Sequence, residues 1–201
     1  MNSRINYSAL QRMHWIGLLA ALLVWAMGII EVGGNAMVWI YDKDEMLAAL
    51  LGGFAESAPQ LLDPFAEDTL LDPHTYLSPR VTALIIVLDF LPQLLSAYAL
   101  WLTGLFFLRL SRGETWSDRN TSILWRIGVL CIVLPATYPL IETLQGLALS
   151  MDLPPGQGIL KVSIGLSSAS AYEIVKGLLL CVFSIIMRDA KALSDEHSQY
   201  I

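Results

Sequence analysis

Five ionisable side chains, Glu31, Asp89, Glu142, Glu173 and Lys176, stand in or at the ends of stretches that otherwise carry almost no charge. A carboxylate in a long apolar run is costly unless it is paired, hydrated or put to use, so this pattern reads as an intramembrane polar site. The chemistry open to it is the binding of a proton, a cation or a small polar ligand. Oxygen donors without His or Cys among them suit Ca, Mg or Mn better than Zn. The plainer reading is that Glu31 and Asp89 mark interfacial helix ends, while Glu173 and Lys176 form a structural pair.

Nothing in the chain announces covalent or metal-centred catalysis. No H-E-x-x-H, G-x-S-x-G, C-x-x-C or phosphate-loop pattern occurs. His14 and His197 fall on the side opposite His74 in the topology argued below, so no triad or axial haem pair converges. Both cysteines, Cys131 and Cys181, lie within apolar runs and read as packed side chains. The expectation is a protein that is not an enzyme and holds no cofactor or dedicated metal.

The elements that must position these residues follow from composition. The chain has 201 residues, 55% hydrophobic and 15% charged, with mean hydropathy +0.58. Soluble domains carry about 25% charged residues, so an ordinary soluble enzyme is excluded. A membrane-crossing helix needs about 20 mostly apolar residues, and spans are predicted near 13–32, 81–108, 127–151 and 169–187. Pro135 and Pro139 predict a kink in the third, and Gly33-Gly34 reads as a flexible turn after the first. The fold class expected is an all-α, integral membrane four-helix bundle, forming a single four-span domain over 1–201. Glu31 and the length of the first apolar run argue against a cleaved signal peptide.

Eight of the twelve Lys and Arg residues lie before the first span, in the second connection or after the last span. Positive residues are retained in the cytoplasm, which predicts both termini inside. The outer connection, 42–79, carries Asp42, Asp44, Glu45, Glu56, Asp63, Glu67, Asp68 and Asp72 against Lys43. This acidic external loop, with an apolar run at 46–54 and the stretch "SAPQLLDPFAEDTLLDPHTY", predicts short amphipathic helices on the outer interface. An irregular loop is the plainer alternative. In this orientation Glu31, Glu142 and Glu173 lie roughly 21–24 Å up a core about 30 Å thick, and Asp89 roughly 28 Å up. The period of Gly17, Ala21, Val24, Gly28 and Glu31 places Glu31 toward the bundle, since small residues mark helix contacts in lipid. Asp89, Gln93, Ser96 and Thr103 make a polar stripe on the second span. Ser170, Glu173, Gly177, Cys181 and Ser184 make another on the fourth. Lys176 lies within reach of Glu173 and can neutralise it.

The inner connection reads "LRLSRGETWSDRNTSILWRIG". Gly113 permits the turn, Ser117 is placed to cap the following helix, Arg109 and Arg112 can reach lipid phosphates, and Trp116 and Trp125 suit headgroup level. With Glu114, Arg119 and Arg126, these residues make either a lipid contact or a docking site for a cytoplasmic partner. The basic Gly113-Glu114 turn, an aromatic, then Ser117 and Asn120 leading through Arg126 to Ile127-Gly128, resembles the bacterial membrane family DUF 2975, a domain of unknown function. The tail "RDAKALSDEHSQYI" is similar to that family's charged end, with His197 and Tyr200 departing from its pattern. The resemblance implies four spans and a cytoplasmic helix-turn-helix regulator as partner.

Taken together, the expected protein is a sensory or regulatory membrane protein of a bacterial cytoplasmic membrane, acting through a cytoplasmic partner and embedded in the lipid bilayer. The alternative is a small oligomeric transporter or channel whose carboxylates hold a cation or proton. A net charge of −6 argues against direct nucleic-acid binding.

Overall fold

A computed structural model of the chain describes residues 7–57, 77–114, 117–152 and 167–198. These form five helices: α1 Tyr7–Tyr41, α2 Lys43–Ser57, α3 Pro79–Ser111, α4 Asp118–Ser150 and α5 Ser168–Ser198. Among the described residues there is no strand. The segments His14–Tyr41, Pro79–Ser111, Asp118–Ser150 and Ser168–Leu193 are each long and apolar enough to cross a membrane. The chain is therefore an all-helical, multi-pass membrane protein of the four-helix-bundle type. A 33-residue helix such as α3 or α4 is about 50 Å long against a core of about 30 Å, so its ends reach beyond the hydrocarbon.

The helices form because their side chains are apolar all round, and in lipid a helix satisfies every backbone group within itself. Their outward surfaces stay apolar: Ile29 is 73% and Leu179 64% exposed, as expected where the solvent is acyl chain. α1 runs on as helix through Glu31, Gly33 and Gly34 to Tyr41. Gly33-Gly34 is thus no turn; glycine is tolerated in membrane helices, and the chain breaks first at Asp42. α3 continues through Pro92, and α4 through Pro135 and Pro139.

The contacts fall into two compact units. One comprises residues up to Ile30, Leu95–Pro135 and from Ser167 onward. Here glycines set the distances between helices. A Cβ on Gly17 would lie 2.6 Å from Ser111 Cβ, and one on Gly28 would be 3.6 Å from Leu100. Trp25 lays its ring on Gly104 and donates its Nε1–H to the Trp101 carbonyl at 3.2 Å. Gly128 of α4 and Gly177 of α5 meet backbone to backbone, a Cβ on Gly177 falling 2.6 Å from the Gly128 oxygen. Leu102, Ile123 and Ile127 form the buried cluster of this unit.

The other unit comprises Glu31–Leu94 and Ala136–Leu166. Its core joins Trp39, Val81, Ile85, Ala148 and Leu149 with Leu47 of α2, and Met46 and Leu50 pack against it. The helix expected in the acidic outer connection therefore exists over Lys43–Ser57, and its apolar face docks on the protein. Asp44 and Glu45 occupy its first turn, where carboxylates favour the helix dipole. The start of α3 is closed from a distance, the Ser78 N–H donating to Asp152 Oδ2 at 2.6 Å.

Candidate functional site

The most fully built polar structure lies where α3 turns into α4. α3 ends in a Schellman motif: Gly113 N–H donates to the Leu110 carbonyl at 3.0 Å and Glu114 N–H to that of Arg109 at 3.2 Å. The motif needs a left-handed residue, and Gly113 supplies it at φ +80°. α4 opens on Ser117, whose Oγ accepts the Asn120 N–H at 3.2 Å as an N-cap. The Thr121 hydroxyl donates to the Ser117 carbonyl at 3.1 Å.

Asn120 is the hub of the turn. It is 0% exposed, its Oδ1 accepts Arg109 Nε–H at 2.7 Å, and its amide donates to the Glu114 carbonyl. Arg109 also pairs with the Glu114 carboxylate and reaches Ser117 Oγ at 3.4 Å. Its side chain is 19% exposed. The planar fork of a guanidinium suits this divided duty, binding three groups along different N–H directions. Arg109, expected to reach lipid phosphate, is instead turned into the protein, because Asn120 and Glu114 offer it fixed acceptors. Arg112, Arg119 and Arg126 remain exposed. His14 of α1 adds a donor to the Ser111 carbonyl at 3.1 Å.

α5 is tied to the same end of α4. Ser184 Oγ donates to the Thr121 carbonyl at 2.8 Å, and Lys191 pairs with Asp118. The stripe predicted on this span is real at Gly177, Cys181 and Ser184, all buried, with Ser170 and Glu173 half-buried. The interhelical partners Asn120–Arg109 and Ser184–Thr121 carry no signal in the sequence beyond the place of Asn120 in the turn motif. No local rule announces a partner across a turn or on another helix.

Of the five ionisable residues of the apolar runs, Glu31, Asp89 and Glu142 belong to the second unit and Glu173 with Lys176 to the first. In the second unit, Asp89 Oδ2 accepts the Asn35 amide at 2.9 Å and Trp39 Nε1–H at 2.8 Å. Glu31, expected to face the bundle, is exposed: buried Gly28, half-buried Asn35 and buried Trp39 share one line along α1 and leave Glu31 to one side. Glu142 is likewise exposed, whereas Gln145 on the same helix is buried. In the first unit Glu173 and Lys176 pair with each other. Among the described residues no three His, Cys, Asp or Glu side chains gather so as to hold a metal ion. Trp116, Arg4, Lys161, His74, Tyr200 and the loop segment 58–76, with Asp63, Glu67, Asp68 and Asp72, lie outside the described residues, as do the side chains of Arg12, Glu56 and His197.

Fold and site thus define a class, the multi-pass all-helical membrane protein with a tightly bonded interhelical turn. No family model, curated protein or solved structure matches the chain.

Proposed function

We propose that the chain is a sensory or regulatory protein of a bacterial cytoplasmic membrane that acts through a cytoplasmic partner docked on the α3–α4 turn. The observation that carries this reading is the bonding of the turn: a fully buried Asn120, held by Arg109 and Glu114, fixes the backbone from which Arg112 and Arg119 project. A loop that merely joins two spans has no need of a buried polar hub, which costs stability unless every bond is made. Fixed, exposed cations favour an acidic protein surface over the diffuse headgroup layer, because a rigid array selects one partner geometry. The likeness of this turn to DUF 2975 adds a helix-turn-helix regulator as the class of partner. The excess of Lys and Arg on this side supports a cytoplasmic position for it.

The ion-pathway alternative has less behind it. Asp89 is held by two donors and Glu173 by Lys176, an arrangement suited to structural roles.

A photo-reactive amino acid placed singly at Arg112 and Arg119, with Leu178 as a lipid-facing control, tests the proposal in living cells. The expected result is a discrete cross-link to one cytoplasmic protein from the turn positions, lost when the other arginine is changed to Glu. Cross-links to lipid alone from all three positions contradict it.

A further inference from the structure

Beside the α4–α5 seam opens a cleft of about 350 Å³, lined by Asp118, Thr121, Ser122, Trp125 on α4 and Ser184, Ile185, Arg188 on α5. Its origin lies in the packing. Gly128 and Gly177 draw the two helices into backbone contact, and Ser184 on Thr121 and Lys191 on Asp118 hold the seam toward the start of α4. Larger side chains flank that seam, and the space between them stays open.

The lining is graded in polarity. Trp125 and Ile185, each nearly half exposed, form its apolar part, and Val182 and Ile186 continue that surface along α5. The hydroxyls of Thr121, Ser122 and Ser184 follow, and Arg188 stands at the polar end. Among the charged groups at that end, Asp118 is matched by Lys191. Arg188 is exposed, has the exposed Asp189 beside it on α5, and makes no ion pair among the described residues. The first turn of α4 adds the positive end of a helix dipole.

We infer that this cleft binds the phosphate of one anionic phospholipid, with Arg188 holding the phosphate and the acyl chains lying along Ile185 and Ile186. The assignment goes beyond the proposed partner site and depends only on the four membrane spans. A guanidinium is weakly hydrated and matches phosphate geometry through paired N–H groups. A tryptophan at the boundary between apolar and polar lining occupies the level that indoles favour in bilayers. Basic pockets between membrane helices select anionic headgroups by this combination of charge and shape. Ser122 offers a neutral hydroxyl to a headgroup oxygen. The volume suits a headgroup, at the small end of ligand sites.

The test is native mass spectrometry of the full chain in detergent, offered equal amounts of phosphatidylglycerol and phosphatidylcholine. The parent protein is expected to retain phosphatidylglycerol at least about fivefold over phosphatidylcholine, the factor one cation near the surface supplies. Arg188→Gln is expected to bring that ratio close to one, Arg188→Lys to keep part of it, and Arg80→Gln, at an exposed arginine away from the cleft, to leave it unchanged. Ser122→Phe, which fills the cleft with Arg188 intact, is expected to lower retention as well, so the inference stays testable if Arg188→Gln fails to fold. Equal retention of the two lipids by the parent overturns the inference, as does unchanged selectivity in Ser122→Phe or a folded Arg188→Gln. A second arm adds inorganic phosphate during thermal unfolding. Stabilisation by millimolar phosphate equal to that by phosphatidylglycerol assigns the cleft to a free anion and overturns the lipid.

Discussion

At the scale of single residues, Asn120 and Gln93 show what decides whether a polar side chain belongs inside the bundle. Asn120 uses its oxygen on Arg109, its amide on the Glu114 carbonyl and its N–H on Ser117. Gln93 has its Oε1 buried without a hydrogen-bond partner. An unmade bond costs about 1–3 kcal/mol, so the two positions respond oppositely to the same change. Asn120→Leu is expected to lower the thermal midpoint in detergent by several degrees, through the loss of about 2 kcal/mol, because Arg109 and a buried carbonyl lose their partner. Gln93→Leu is expected to leave it unchanged or raise it. Unfolding curves of both variants, followed by circular dichroism, check the pair; equal losses would mean that bonding does not distinguish them. Ser117 was legible in the sequence because an N-cap acts on its own helix three residues away. The hub at Asn120 was not, since Arg109 lies eleven residues earlier and on another helix.

At the scale of helices, glycine decides where two elements touch, and its meaning depends on what stands opposite. Gly128 and Gly177 face backbone atoms, and a Cβ on either would fall within 2.8 Å of the other's carbonyl oxygen. Backbone cannot yield as a flexible side chain does. Gly33 and Gly34 have no neighbouring atom within 4 Å of an added Cβ. Gly128→Ala is therefore expected to destabilise by about 1–3 kcal/mol through overpacking. Gly33→Ala is expected to be neutral or to stabilise by up to about 1 kcal/mol through helix propensity. Thermal or denaturant unfolding in one detergent compares them, and destabilisation by Gly33→Ala equal to that by Gly128→Ala would refute the assignment. The spacing Gly177, Cys181, Ser184 exposed the contact stripe of α5 in advance, because small residues at a helical period have that meaning in lipid. The pair Gly33-Gly34 misled for the opposite reason: in water two glycines favour a turn, whereas in a membrane the unpaid backbone bonds keep the helix intact. Glu31 is exposed because the stripe drawn through it departs at that position from the buried line of Gly17, Ala21, Gly28 and Trp39, which passes about 60° to its side.

For the whole molecule, the four spans were the most legible feature, since apolar stretches of this length have few other uses. The docking of α2 on Trp39, Val81 and Leu149 was not legible, because an amphipathic segment fits lipid and protein equally well. In the proposed orientation an even number of crossings puts both termini on one side, with the basic α3–α4 turn in the cytoplasm. A cytoplasmic partner at the turn requires this orientation. It is tested by single cysteines at Asp44 of α2 and at Arg112, both exposed, in chains whose Cys131 and Cys181 are changed to Ala. In intact bacterial cells with a permeable outer envelope, a membrane-impermeant maleimide is expected to label position 44 at once and position 112 only after the inner membrane is opened. Labelling of position 112 in intact cells, with position 44 protected, would put the turn outside and contradict the account.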